Sequence, residues 1–95
     1  MVVTPQQHCG LALVGSGSAT PAQKLTNDQL GLRVDTNDSW IRSRTGISER
    51  RVIGANETLT DLSHRAAFAA VKMAGWKASS IDLVVLATST PDDLF

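Results

Sequence analysis

Two short apolar runs constrain the fold of this chain more than any other feature. Residues 10–17 and 81–88 contain the consecutive apolar stretches Leu11–Val14 and Leu83–Ala87, with no polar residue inside either stretch. A strand with one solvent-facing side alternates apolar and polar residues, whereas a strand covered on both faces reads as a continuous apolar run. We therefore predict two buried strands, at residues 10–17 and 81–88.

A long helix is predicted between these strands, from about Thr60 to Ala74, with Gly75 placed to end it. Strand, helix and strand in this order predict a βαβ unit with a right-handed crossover, and so an α/β fold. The apolar residues of the helix recur at the helical period, with His64 and Arg65 on its exposed side. That apolar face consists of Leu62, Ala66, Ala69, Ala70 and Met73.

Shorter elements are predicted before the long helix. Thr26 is a suitable cap for a short helix that begins near Asn27, and Leu30, Leu32 and Val34 are available to pack it down. Residues 47–53 alternate loosely, which fits either a short edge strand or an extended arm. The Gly15-x-Gly17 spacing does not continue into a dinucleotide-binding turn, because Thr20 occupies the third glycine position and Pro21 follows at once.

Composition excludes several classes of function. The formal net charge of +0 gives no general attraction to nucleic acid or to an anionic membrane. Cys9 is the one cysteine, which excludes a disulfide framework and a cysteine-rich zinc site; we interpret the His8–Cys9 pair as non-catalytic and expect no metal. No run approaches the roughly 20 apolar residues of a membrane span, and there is no signal-peptide pattern. We predict a cytoplasmic protein with neither nucleic acid nor membrane as partner.

The 95 residues fit one small domain or a piece of a larger one. A buried parallel strand needs helices over both faces and neighbours on both edges. One long helix and a few short ones cannot supply that cover, so we expect a fragment, or the opening third of a larger domain.

Residues 34–51 hold Trp40 and the densest run of arginines in the chain. Thr36 is the predicted cap of a short helix here, Asp38 meets the positive end of its dipole, and Gly46 ends it. On such a helix Thr36, Trp40 and Arg44 recur at i, i+4 and i+8, and therefore share one face.

Two interpretations of that face remain open from the residues alone. A hydroxyl, a flat indole and a guanidinium suit a flat, phosphorylated ligand such as an adenine nucleotide. Alternatively, Trp40 packs the helix onto the core while Arg44 forms a surface ion pair. No catalytic constellation can be assembled from the 95 residues, since the chain has neither a nucleophile elbow nor a carboxylate pair at an evident site.

Nearly the whole chain from Leu11 onward resembles one known family. The most specific segment runs from Asp35 to Arg50 and includes Trp40-Ile41-x-x-Arg44-Thr45-Gly46-Ile47. Further matching positions are Gly15-x-Gly17, Pro21, Thr26-Asn27, Asn56-Glu57-Thr58, the alanine-rich helix that ends at Ala74-Gly75, and residues 81–92. Together they are similar to the amino-terminal signature of β-ketoacyl-acyl carrier protein synthase III.

The resemblance implies an α/β, thiolase-like fold of five layers (αβαβα), incomplete here. Residues 1–95 would be the amino-terminal segment of the first thiolase-like half, with no complete second domain. The family condenses an acyl-CoA primer, usually acetyl-CoA, with malonyl-acyl carrier protein, with loss of CO2 and through an acyl-cysteine intermediate. It is an acyltransferase of fatty acid biosynthesis and a homodimer at full length. Coenzyme A thioester is a substrate, and no cofactor is implied.

The resemblance also assigns roles to residues. The positions that match Thr36, Trp40 and Arg44 contact the adenine end of coenzyme A. The family's catalytic cysteine, histidine and asparagine lie beyond the matched region, so we expect no catalytic residue in this chain and no activity of the chain alone. Ser48 replaces a commonly basic residue of the acyl carrier protein contact, although Arg50 and Arg51 keep positive charge nearby.

A second hypothesis is a stand-alone, non-catalytic module that binds coenzyme A, a nucleotide or an acyl carrier protein. It requires that the chain folds alone, which the two apolar runs disfavour because they would lack cover.

Overall fold

A computed structural model describes residues 10–93 of the chain. In chain order the elements are β1 (Gln23–Thr26), α1 (Asn27–Gly31), α2 (Asp38–Thr45), β2 (Glu49–Val52), α3 (Leu59–Ala74) and a short 3-10 helix (Ala78–Ser80). The mixed α/β content agrees with the predicted fold class. The interpretation of His8 and Cys9 concerns residues outside the described range.

Strands β1 and β2 form a two-stranded antiparallel sheet. The register pairs Gln23 with Val52 and Thr26 with Glu49. Of the two alternatives for residues 47–53, strand β2 confirms the short edge strand rather than the extended arm. Strand β1 was not predicted, because its sequence Gln-Lys-Leu-Thr has one apolar residue and therefore no alternation to detect.

Helix α1 has the predicted cap. The Thr26 hydroxyl accepts a hydrogen bond from the Gln29 N–H at 3.2 Å, and the Gln29 side chain accepts one from the Thr26 N–H at 2.9 Å, which completes a capping box. The expectation that Leu32 and Val34 pack this helix down is wrong, since they are 87% and 53% exposed. Helix α1 ends at Gly31, and the chain then turns before α2, which leaves both side chains exposed.

Helix α3 confirms the long helix. Thr58 caps it by accepting a hydrogen bond from the Asp61 N–H, and Gly75 ends it in the left-handed conformation (φ 71°). Its predicted apolar face is only partly covered: Leu62 is buried, whereas Met73 is 67% exposed. The loop residues Gly15 and Gly17 pack directly on the α3 backbone.

The two predicted strands are not formed within residues 10–93. Residues 10–17 and 81–88 contribute to no sheet, and the described sheet consists of β1 and β2 alone. A strand exists only where a neighbouring strand accepts and donates its backbone hydrogen bonds. No ladder hydrogen bonds join these two segments to a sheet, so the predicted βαβ unit is not formed in the described part of the chain.

Little apolar surface is buried in the described residues. The buried apolar residues are Ile41 and Leu62, whereas both apolar runs are largely exposed, with Leu11, Leu13, Val84 and Val85 at 80% or more. The radius of gyration is 20.5 Å, against about 12 Å for a compact chain of this length. Burial of this extent does not supply the core of a stand-alone domain.

Candidate ligand-binding site on helix α2

Helix α2 begins one residue later than predicted. Its cap is Asn37, whose side-chain oxygen accepts a hydrogen bond from the Trp40 N–H at 2.9 Å. The prediction of Thr36 as the cap is therefore wrong, since an asparagine at the next position meets the orphan N–H groups of the first turn. Gly46 ends the helix as predicted, in the left-handed conformation with φ 72°.

Thr36 is left free for another role. Its Oγ1 is buried and has no hydrogen-bond partner within the described residues. Thr36 and Trp40 line one cavity of about 150 Å³, together with Asp35 and Asn37. The structure thus brings two of the three predicted site residues to a single concave surface.

Trp40 and Arg44 lie side by side on α2. The Arg44 Cζ is 5.4 Å from the centroid of the Trp40 ring, a cation–π distance. The Trp40 side chain is 55% exposed, whereas Ile41 is 7% exposed. Ile41 therefore packs α2 onto the rest of the structure. The alternative in which Trp40 packs the helix and Arg44 forms an ion pair does not fit this arrangement.

Asn27 joins the elements around α2. It is 1% exposed, and its Nδ2 donates to the Asp38 Oδ1 at 2.8 Å and to the Ile47 carbonyl oxygen at 2.7 Å. Its Oδ1 accepts a hydrogen bond from the Arg50 Nη2 at 2.7 Å. Reasoning from the sequence missed this network, because it interpreted Asn27 only as the first residue of a short helix and as part of the family signature.

Asp38 is the first residue of α2, as expected for a carboxylate at the positive end of the helix dipole. The Arg42 Nε donates to both of its carboxylate oxygens at 2.9 Å. Hydrogen bonds from Arg42 and then from Asn27 hold the pKa of Asp38 below its ordinary value. Asp38 is therefore a fixed anion that links the Asn27 network to the surface of α2.

The two arginines expected to keep positive charge near Ser48 bind within the chain. Arg50 is half-buried against Asn27, and the Arg51 Nη1 donates to the carbonyl oxygens of Pro21 and Ala22 at 3.2 and 2.9 Å. Both guanidinium groups thus fasten β2 to neighbouring segments. Because Arg50 is held by Asn27, its side chain has little freedom to contact another protein.

Two general features limit what the described residues hold. Within residues 10–93 no group of three or more His, Cys, Asp or Glu side chains is arranged to bind a metal ion. No helix in the same range is long and apolar enough to cross a membrane.

Comparison with known proteins agrees with the resemblance noted in the sequence. The β-ketoacyl-[acyl-carrier-protein] synthase III of Prochlorococcus marinus strain MIT 9313 is 72% identical over 95 residues, which are 100% of this chain and 28% of that protein. This chain matches a segment of β-ketoacyl-acyl carrier protein synthase III. No family model matches the chain.

Solved structures of synthase III and of a related ketosynthase share the fold of this segment. The 3-oxoacyl-[acyl-carrier-protein] synthase III of Aquifex aeolicus VF5 aligns with a TM-score of 0.62 and 43% identity, over 66% of this chain and 20% of that one. The priming β-ketosynthase of the R1128 polyketide biosynthetic pathway aligns with a TM-score of 0.70 and 30% identity, over 83% of this chain and 25% of that one. The chain is thus a mixed α/β segment that matches part of the thiolase-like fold of synthase III.

The chain spans about a quarter of the length of the curated synthase III relatives that it matches. Residues 10–17 and 81–88 have no strand partners in the described sheet, which is consistent with a chain that spans about a quarter of its relatives' length. Each segment has the composition of a buried strand and pairs with no strand within residues 10–93.

Proposed function

We propose that this chain supplies the wall that binds the adenine end of coenzyme A in a β-ketoacyl-acyl carrier protein synthase III. The observation that carries the proposal is the exposed Trp40 ring with Arg44 alongside it and the unpartnered Thr36 hydroxyl in the same cavity wall. The resemblance assigns these three residues to coenzyme A, and the geometry suits a purine that carries phosphates.

Each side chain has a separate task in this proposal. The adenine ring stacks on the exposed part of Trp40, where aromatic rings lie with centroids about 4.5–7 Å apart. The Arg44 guanidinium lies over the Trp40 ring, within reach of a charge-assisted hydrogen bond to a phosphate or to the base. The Thr36 hydroxyl gains the hydrogen bond that it lacks in the free chain.

The whole enzyme is proposed to perform the family reaction. The acyl group of an acyl-CoA moves to a cysteine sulfur and free coenzyme A leaves. Malonyl-acyl carrier protein then loses CO2, and its α-carbon forms a bond to the acyl carbonyl carbon, which releases the cysteine. The catalytic cysteine, histidine and asparagine are assigned to no residue of this chain.

Several features of the whole enzyme are proposals on the same ground. They are malonyl-acyl carrier protein as second substrate, a homodimer, a cytoplasmic location, and residues 1–95 as the amino-terminal segment of the first thiolase-like half. The stand-alone binding module gains no support, because Ile41 and Leu62 are the buried apolar residues of the described chain.

The test compares two tryptophan variants in the full-length enzyme that carries this segment. Trp40→Ala is expected to raise the KM for acyl-CoA roughly tenfold, because stacking on an aromatic side chain contributes about 1–3 kcal/mol per base. Trp76→Ala is the matched control, since Trp76 is similarly exposed (52%) but lines the groove beside α3 instead. An unchanged KM in Trp40→Ala would remove α2 from the coenzyme A site.

A further inference from the structure

Asn27 is the most thoroughly buried side chain in the described residues, at 1% exposed. Both hydrogens of its Nδ2 are donated, one to Asp38 and one to the carbonyl oxygen of Ile47, and its Oδ1 accepts from Arg50. Its backbone N–H also donates to the Ser48 carbonyl oxygen at 3.2 Å. With donor and acceptor both engaged, the amide has one orientation and cannot rotate without losing hydrogen bonds.

The partners of Asn27 lie at both ends of α2. Asp38 is the first residue of the helix, whereas Ile47 is the second residue after its end at Thr45. A helix of eight residues is about 12 Å long. One buried amide therefore binds the beginning of α2 through the Asp38 side chain and the chain just beyond its end through a backbone carbonyl.

The remaining partner connects α2 to the sheet. Arg50 lies on β2, so its hydrogen bond to Asn27 joins the sheet to the network that holds α2. Few apolar contacts assist, because Ile41 is the buried residue of α2. The orientation of α2 thus depends largely on polar contacts through Asn27.

We infer that Asn27 is a positioning residue for the coenzyme A site, because it fixes the helix that carries Trp40 and Arg44 at both ends and against β2. Asn27 touches no ligand itself and acts through the orientation of α2. The inference rests on the proposed function for its effect on substrate, but its effect on α2 can be measured without substrate.

The decisive variant is Asn27→Asp in the full-length enzyme. The change is isosteric, yet it replaces both donated hydrogens with a carboxylate oxygen that faces the Asp38 carboxylate at the present 2.8 Å contact. The exchange Asn27→Asp with Asp38→Asn restores a donor and an acceptor to that contact and leaves the carboxylate beside Arg50. The Ile47 carbonyl remains without a donor in both variants. Asp38→Asn alone measures the loss of the Arg42 ion pair, so the three variants together isolate the contact between positions 27 and 38.

Two readouts separate positioning from a general loss of stability. Asn27→Asp is expected to speed amide hydrogen exchange in residues 38–45 and to raise the KM for acyl-CoA roughly tenfold, with kcat changed less. The double variant is expected to recover most of both changes. Asp28→Asn is the matched control: it makes the reverse exchange at the exposed neighbouring position of α1 and is expected to leave both readouts unchanged.

Each outcome has one meaning. Unchanged exchange in residues 38–45 of Asn27→Asp overturns the positioning role, and so does a double variant whose impairment equals the sum of those of Asn27→Asp and Asp38→Asn. Faster exchange with an unchanged KM shows that Asn27 positions α2 but that α2 does not bind coenzyme A, which overturns the proposed function. If Asn27→Asp does not fold, failure of the double variant to restore folding overturns the contact between positions 27 and 38.

Discussion

The carboxylate of Asp92 binds the first turn of α3 through Thr60. Its Oδ2 accepts hydrogen bonds from the Thr60 N–H at 2.7 Å and from the Thr60 hydroxyl at 2.6 Å, across 32 residues of sequence. Its Oδ1 accepts a further one from the Leu59 N–H at 3.3 Å. Helix α3 thus has two capping side chains. The Thr58 hydroxyl accepts from the Asp61 N–H, whereas the Asp92 carboxylate accepts from the N–H groups of the two residues before Asp61. The contact ties the chain that follows residues 81–88 to the start of the helix.

Asp92→Asn is expected to lower the melting temperature of the full-length protein by a few degrees, since a neutral amide interacts more weakly with the helix N-terminus. The Thr60 hydroxyl, and then the Thr60 N–H, hold the pKa of Asp92 below its ordinary value of 3.8. A carboxyl with a lowered folded-state pKa stabilises the fold above its unfolded pKa and loses this contribution as the pH falls through the folded value. The difference in melting temperature between wild type and Asp92→Asn should therefore be constant near neutral pH and shrink below about pH 4. Thermal melts at several pH values measure it, and a difference that grows on acidification would contradict the assignment.

Thr36 and Thr45 give opposite predictions for the same substitution. Thr36 Oγ1 is buried without a partner, so Thr36→Val is expected to leave the free energy of unfolding unchanged or to raise it by up to about 1 kcal/mol. The Thr45 hydroxyl donates to the Ile41 carbonyl oxygen at 2.8 Å and accepts from the Ile47 N–H at 3.1 Å. Thr45→Val is therefore expected to lower the free energy of unfolding by about 1 kcal/mol. Urea unfolding without ligand measures both changes. Equal destabilisation by the two variants would mean that Thr36 has a partner after all.

Gly17 is expected to tolerate no side chain. A Cβ at this position would overlap the Ala66 carbonyl oxygen and lie 2.7 Å from the Ala70 nitrogen, both in the backbone of α3. Gly17→Ala should therefore destabilise the full-length protein by about 1–3 kcal/mol, because the loop and the helix must separate. Gly54→Ala is the control, since its nearest atoms lie at 3.8 Å at the ends of two flexible side chains. Equal urea midpoints for the two variants would show that residues 15–17 do not pack on α3 as described.

Elements with strong local signals could be predicted from the sequence. Helix α3, the start of α1 and the C-terminal end of α2 follow from capping residues and glycines that act within one turn of the chain. Residues 10–17 and 81–88 failed as strands because a strand depends on partners far away in sequence, and composition does not show whether those partners are present. Helical spacing placed the site residues on one face and the resemblance supplied their role, whereas Asn27 was missed because its three side-chain partners are 11 to 23 residues away.

Thr36 and Asn37 are neighbouring candidates for the cap of α2, and which of them caps the helix can be tested directly. Both Thr36 and Asn37 are good caps by residue type, and the structure selects Asn37, whose Oδ1 accepts from the Trp40 N–H. Asn37→Ala is expected to cost about 1 kcal/mol of unfolding free energy, whereas Asn37→Asp keeps an acceptor and should cost little. Because the lost bond ends at Trp40, amide exchange of Trp40 should speed up in Asn37→Ala alone. If Asn37→Ala and Asn37→Asp show the same exchange at Trp40, then Thr36 is the working cap, and its hydroxyl is not free for coenzyme A.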